Sequence, residues 1–305
     1  MPRILLATPD GIHTLEEGGV PGPVHHAGRA VTTLAPQRDD VWAIVERSEL
    51  WHTTDMDRWT HVADSGDYRG TCVAATGDDV FVGSSQARLF RVGGQDLEPV
   101  VPFDRADGRD SWYTPWGGPP DTRSISEWDE AIYVNVHVGG VLRTEDRGET
   151  WTPTIDIDAD VHQVTTAEGL VLAACAGGLV VSSDRGRSWA IRGEGLAAPY
   201  SRAVAVCGDA VLVSASNGPR GGQSAVYRGD LRGTSDGGDL ERCRTGLPEW
   251  FDDNVDSYCL DALPDGSFVA FGTSDGRVFA SEDTGVSWGE LASGLPPIQR
   301  VLVMP

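Results

Sequence analysis

The stretch Thr144-Glu-Asp146-Arg-Gly148-Glu-Thr-Trp151 decides the fold, because it recurs. It returns as Ser182-Ser-Asp184-Arg-Gly186-Arg-Ser-Trp189 and as Ser281-Glu-Asp283-Thr-Gly285-Val-Ser-Trp288. The shared pattern is Ser/Thr-x-Asp-x-Gly-x-x-Trp. Its chemistry is that of a hairpin turn: hydroxyl and carboxylate bond nearby backbone N–H groups, and Gly adopts φ > 0. The Trp ring is expected to be buried between neighbouring structural units. Thr53-Thr-Asp55-Met-Asp-Arg-Trp59 is a shortened copy without the Gly, and Thr234-Ser-Asp236-Gly-Gly238 is a fainter echo.

Each motif continues a shorter unit that is more widespread. Gly11-Ile-His-Thr14, Leu50-Trp-His-Thr53, Leu89-Phe-Arg-Val92, Val141-Leu-Arg-Thr144, Leu179-Val-Val-Ser182, Val226-Tyr-Arg-Gly229 and Val278-Phe-Ala-Ser281 share it. Their last residues are 39, 39, 52, 38, 47 and 52 positions apart, and the wrap from Ser281 through the C-terminus to Thr14 is another 38. A step of that length fits a four-stranded propeller blade. In the fourth unit, β-rich runs at Ala131–Val138 and Gly140–Thr144 flank a Gly139-Gly140 turn. No helical periodicity is visible. Residues 3–7 and 11–15 supply only middle strands, while Arg300-Val-Leu-Val-Met304 has the pattern of an innermost strand. The expectation is therefore an all-β, seven-bladed β-propeller of four-stranded antiparallel blades. It occupies 1–305 as one domain, and both termini build the closing blade.

The composition restricts partners and compartment. The formal net charge is −22 and all 24 basic residues are Arg. A field of that sign repels nucleic acid and anionic lipid, so neither is expected as a partner. No run of 18 apolar residues is long enough to span a membrane, and the N-terminal Met1–Asp10 is too short in apolar residues for a signal peptide and reads as a strand. A cytoplasmic protein is expected. Cys72, Cys175, Cys207, Cys243 and Cys259 are odd in number and lack any CxxC pair, which argues against disulfides and a cysteine-held zinc.

These motifs resemble those of the Asp-box, or bacterial neuraminidase repeat, β-propellers, over nearly the whole chain. The family includes sialidases, endo-xyloglucanases, sortilin-type receptors and photosystem II assembly factors, and this chain is most similar to its uncharacterised bacterial cytoplasmic members. The resemblance implies that the box is structural and faces away from the active site, so Asp146, Asp184 and Asp283 are poor catalytic candidates. Family sialidases use an Arg triad, a Tyr–Glu pair and an Asp. Arg residues are present here, but no Glu stands at an aligned funnel position and the Phe/Tyr-Arg-Ile-Pro motif is missing.

Ligands of propeller enzymes bind where the innermost strands begin. Aligning those starts gives one column: Arg29, Arg69, Arg123, His162, Arg202, Asp256 and Gln299. Converging guanidinium groups would make an anion site. Two positions earlier stand Asp67, Asp121 and Asp160, on the same side of a strand, so a self-neutralising ring is the competing reading. Three insertions map to the same face: Asp104–Pro120 with Trp112, Tyr113 and Trp116, the loop 217–223, and the segment around Trp250-Phe-Asp-Asp-Asn254. Their aromatic side chains either stack on a ligand or plug their own loops. His137, read as ending a strand at this rim, joins His162, Asp256 and Tyr200 as candidate acid–base groups. His25-His26, Tyr68 and Tyr258 lie near the same rim. Asp160 and His162 are candidate metal ligands, but no third is identifiable, so no metal or other cofactor is expected. Two functions stay open. One is a module binding a small anionic molecule or a protein partner through this face. The other is a small-molecule enzyme, glycoside hydrolase-like or lyase-like, using the same Arg/His-lined pocket.

Overall fold

The computed structural model describes residues 2–305, so that Met1 lies outside the described residues. It is a seven-bladed propeller, each blade a four-stranded antiparallel sheet. We number the blades from the N-terminus and letter their strands A to D outward from the central channel. The innermost strands are Arg300–Met304 (blade 1), Val31–Gln37 (2), Gly70–Thr76 (3), Thr122–Trp128 (4), Val161–Ala167 (5), Tyr200–Cys207 (6) and Leu260–Ala262 (7). All seven short repeat units occupy strand C of their blades.

Blade 1 closes the ring as expected. The C-terminal strand pairs antiparallel with Arg3–Thr8 in a register running from Arg3↔Met304 to Ala7↔Arg300. Strands Gly11–Leu15 and Pro21–His25 complete that sheet. Alternating apolar residues seal each blade against the next. Leu5, Ala7 and Ile12 of blade 1, for instance, are buried with Val31, Val41 and Val45 of blade 2.

The Ser/Thr-x-Asp-x-Gly-x-x-Trp motifs form the turns between strands C and D. In blade 4 the Thr144 hydroxyl donates to Asp146 Oδ1 at 2.7 Å and accepts from the Gly148 N–H at 2.9 Å. Asp146 Oδ1 accepts the Thr150 N–H at 2.9 Å, and its Oδ2 accepts the Thr150 hydroxyl at 2.6 Å. Gly148 has φ 94°, which explains its place in the motif. Trp151 donates to the Gly148 carbonyl at 3.1 Å and meets Phe103 edge-on between blades 3 and 4. Trp288 repeats this between blades 6 and 7. Trp189 is only half-buried, and its indole N–H reaches the Thr154 carbonyl of the preceding blade at 2.8 Å. The shortened copy keeps the bonding, since Asp55 Oδ1 accepts from the N–H groups of Asp57 and Arg58.

Two expectations are corrected. The echo at Thr234-Ser-Asp236 is the end of a short helix, Leu231–Asp236, capped by the Asp230 side chain through the Gly233 N–H, so one segment is helical after all. Strand B of blade 4 ends at Val136, not Val138, because Val138 takes φ 48° and turns the chain; His137 therefore belongs to the turn.

The turn carboxylates carry a pH consequence. Hydroxyl and N–H donors hold Asp146 and Asp184 at about 2, the Thr150 and Ser188 hydroxyls contributing most. Burial pushes Asp283 up, but the hydroxyl and N–H of Ser287 and the hydroxyl of Ser281 outweigh it and bring it also to about 2. The folded values lie below the ordinary one, so this stabilisation is present above about pH 4 and is lost as pH falls towards about 2. Changing all three to Asn should lower the melting temperature at neutral pH and flatten its decline across that acid window. An unaltered decline would show that these turns contribute no linkage.

Candidate functional site

Strands A begin at one face, here called the upper mouth, where the D–A connections and B–C turns lie. Most enter the channel through a β-bulge. The register skips Thr32, Thr71, Arg123 and His162 singly in blades 2 to 5, and Arg202 with Ala203 in blade 6. A bulge re-aims the extra residue: Thr32, Thr71, Arg123 and Arg202 face the cavity at this mouth, while His162 is buried beside it. The residues equivalent by structure are therefore Thr32, Thr71, Arg123, His162 and Arg202. Arg29 and Arg69 precede their strands by two residues and one.

This changes the lining of the upper mouth. Thr32, Thr33, Thr71, Asp121, Arg123, Arg202, Asp256, Ser257, Tyr258 and Gln299 enclose a cavity of about 270 Å³. Arg123, Arg202, Asp256 and Gln299 of the sequence column meet there. Arg29 does not line it: its guanidinium donates to Glu49 Oε1 at 2.6 Å and packs over Trp51, 5.8 Å from the ring centroid. Arg69 stands at the rim of a neighbouring cavity, 4.0 Å from Asp121 Oδ1. Arg202 donates through Nε to Asp256 Oδ1 at 2.6 Å and through Nη1 to the Tyr200 hydroxyl at 3.4 Å. Burial lowers its pKa, but Asp256 and Tyr200 together leave it raised.

Arg123 differs from the other three. Among the described residues no carboxylate lies within ion-pair distance of its guanidinium and no group accepts a hydrogen bond from it. Burial and then repulsion from Arg202 lower its pKa, with Asp121 and Asp160 acting only at a distance. The charge persists, since guanidinium does not deprotonate in proteins.

Below this cavity the channel is blocked. The residues before strand A of blade 7 leave the sheet and cross the axis, and Tyr258 takes φ 64° as they do. The Tyr258 N–H donates to Gln163 Oε1 at 2.7 Å and its hydroxyl accepts the Ile125 N–H at 3.1 Å. Its carbonyl accepts the Val301 N–H, and Arg300 stacks on its ring at 3.8 Å. Ser257 donates to the carbonyls of His162 and Arg202. Tyr258 thus ties blades 1, 4 and 5 together. It also borders the separate cavity of about 540 Å³ that opens at the lower face between Pro36, Trp128, Glu168 and Pro264.

A second group of side chains meets beside Arg123. The blade 4 turn brings His137 to Asp160 and His162, and the donor atoms of the three lie within 4.8 Å of one another. His137 Nε2 is 3.2 Å and His162 Nε2 3.7 Å from Asp160 Oδ1. His162 is fully buried, and its Nδ1 lies 2.6 Å from the Ser201 carbonyl. Burial and then repulsion from Arg202 push its pKa down. Among the described residues these three form the group able to hold a metal ion.

The insertions divide between structural and exposed roles. Trp112 packs on Phe103 and beneath Arg109, so it plugs its own loop. Trp116 is 70% exposed and its ring lies 4.9 Å from that of His137. Together with Arg69, Gln86, Asp121 and His137 it borders a rim cavity of about 440 Å³. Phe251 is buried between blades 6 and 7, Trp250 packs under Arg242, and Asn254 ties the 217–223 loop through the Gly218 and Pro219 carbonyls. Thr32, Thr71, Ser257 and Tyr258 are absent from the sequence column. The signal for the first two is the short run Val31-Thr-Thr and Gly70-Thr-Cys, which matches Thr122-Arg-Ser and Val161-His-Gln when the first strand residues are aligned.

The fold and site define a seven-bladed β-propeller with an upper cup and a rim cluster. Comparison with solved structures agrees on the class. The chain is similar to a computationally designed protein, Ika8, at 12% identity and TM-score 0.61, covering 98% of this chain and 92% of that one. It is similar to YCF48 bound to D1 peptide at 16% identity and TM-score 0.58, covering 94% and 84%. It is also similar to a GH74 xyloglucanase from Xanthomonas campestris at 15% identity and TM-score 0.60, covering 85% of this chain but 45% of the enzyme. Identities this low establish the fold alone. No protein-family model and no curated protein matches the sequence. Among the described residues no helix is long and apolar enough to cross a membrane.

Proposed function

We propose that the chain is an Asp-box propeller whose upper cup binds a small anion, such as a carboxylate or sulfate, on Arg123. The observation that carries the reading is an unpaired, deeply set guanidinium facing a polar cavity. A guanidinium that faces the cavity with no protein partner among the described residues is free to take an anion, and its fixed donor fork suits a carboxylate or sulfate. Thr32, Thr71, Ser257 and Gln299 supply hydroxyl and amide groups around it. At about 270 Å³ the cup is smaller than the ~300–1,000 Å³ of ordinary ligand pockets, which favours a ligand of few atoms over a polysaccharide chain. The strongly negative exterior keeps polyanions away. The five cysteines are free and buried, which suits the reducing cytoplasm.

Thermal-shift titration tests this at constant ionic strength, with sulfate and small carboxylates against chloride. The wild type should be stabilised, and Arg123→Met should lose that response. A single charged hydrogen-bonding group is worth ~1.5–3 kcal/mol, so affinity should fall by roughly ten- to hundred-fold. Without anions the same variant should melt no lower than wild type, because no ion pair or hydrogen bond among the described residues is lost with the guanidinium. A variant that melts lower and keeps its anion response would show that Arg123 is structural.

A second reading is supported by the exposed Trp116 and Tyr113 at the rim and by a peptide-bound propeller neighbour: this face docks a protein segment. In the enzyme alternative, His137, His162, Asp256 and Tyr200 remain the acid–base candidates. Asp256 and Tyr200 are engaged with Arg202, and His137 and His162 are buried against Asp160 and the Ser201 carbonyl, so all four already have partners.

A further inference from the structure

We infer that His137, Asp160 and His162 form a binding site for one divalent transition-metal ion of the zinc class, with a coordination position left open towards the cavity beneath Trp116. The argument begins at His162. A carbonyl oxygen only accepts, so the 2.6 Å contact with Ser201 makes Nδ1 the protonated nitrogen. Nε2 is then a bare lone pair. It is buried, has no hydrogen-bond partner, and faces Asp160 Oδ1 at 3.7 Å. Asp160 Oδ1 is likewise buried and meets no donor on the His162 side, so two acceptors confront each other there. His137 Nε2 completes the triangle at 3.2 Å from the same oxygen.

A cation between them resolves this opposition. Ligand atoms around a tetrahedral zinc, each at ~2.0–2.2 Å, stand roughly 3.3 Å apart, close to the two distances to Asp160. The imidazole held by a carbonyl through its far nitrogen is the usual way of orienting a metal-ligating histidine. Two imidazoles and one carboxylate select zinc-like ions over magnesium or calcium, which prefer oxygen alone. Three protein ligands leave a position for water or substrate. Of the three ligands only His137 borders the rim cavity, which is the side from which water or substrate would reach the ion. Arg123 and Arg202 oppose a cation here, and the Asp160 charge offsets them.

The test is titration of EDTA-dialysed full-length protein with zinc chloride by calorimetry, with the visible spectrum of the cobalt(II) form as second readout. One equivalent of zinc should bind. Changing an orienting partner alone costs ~10–100-fold in affinity, so removing a direct ligand with Asp160→Asn should cost at least ~100-fold. Asp160 is partly exposed, so this nearly isosteric variant should stay folded, as its melting curve would verify. His137→Gln gives an independent second loss. Cobalt(II) should give the intense spectrum of a nitrogen-containing, low-coordinate site. Arg123→Met should tighten zinc binding while abolishing the anion response, so the two readings fail separately. The proposal is overturned by the absence of a stoichiometric zinc site, by equal affinity in Asp160→Asn, or by the pale spectrum of an all-oxygen cobalt site.

Discussion

A chain lacking residues 299–305 should fail to show a cooperative unfolding transition and should aggregate. The segment is the innermost strand of blade 1, with Val301, Leu302, Val303 and Met304 all at most 5% exposed. At ~1.5–3 kcal/mol for each buried side chain, removing four forfeits roughly 6–12 kcal/mol. That is comparable with the ~5–15 kcal/mol of net stability of a whole domain. The loss also leaves Arg3–Thr8 as an open strand edge able to pair with another molecule. It removes the Val301 and Arg300 contacts that hold Tyr258 across the channel. Denaturant unfolding followed by far-ultraviolet circular dichroism, with light scattering for association, gives the answer. A monomeric truncated protein melting within a few degrees of full length would refute closure by this strand.

Trp151→Ala should cost ~3–5 kcal/mol, the usual range for emptying a buried aromatic site. The ring is 7% exposed and packs edge-on against Phe103, 5.1 Å between centroids, where blades 3 and 4 meet. Its N–H also closes the turn on the Gly148 carbonyl. Trp288→Ala should behave alike, since that ring is 6% exposed against Phe271. Trp189→Ala should cost less, because the half-exposed ring leaves a smaller void. All three lie on the face opposite the cup, so the folded variants should keep the anion response of the wild type. Urea denaturation orders the three. Equal losses at Trp189 and Trp151 would show that turn bonding, not interblade burial, sets the energy.

The blades were legible because their signal is local and repeated. A turn such as Thr144–Trp151 needs the same hydroxyl, carboxylate, Gly and indole each time, and closure follows from counting. The site was harder, because its register is set by bulges. Counting back from strand patterns put Arg29 and Arg69 in line with Arg123, but the bulges give those places to Thr32 and Thr71. The self-pairing that the Asp residues suggested is partly present. Arg69 lies near Asp121 and Arg202 is paired with Asp256, while Arg123 has neither. His137 escaped recognition as a neighbour of Asp160 and His162 because a turn on one blade meets a strand on the next. The Thr234-Ser-Asp236 echo misled because the left-handed glycine after it, Gly237, ends a helix as readily as it closes a hairpin turn.

The bolt formed by Tyr258 has a kinetic consequence. With the axis blocked, the propeller is two shallow wells set back to back, and neither is a conduit. Whatever enters the upper well must leave by the same door, so escape is governed by the rim residues, Trp116 among them. A molecule lodged in the lower well cannot displace it by pushing through. Influence between the two has a short route through the bonds of Tyr258 to Gln163, Ile125 and Val301, beside the innermost strands that run from one well to the other.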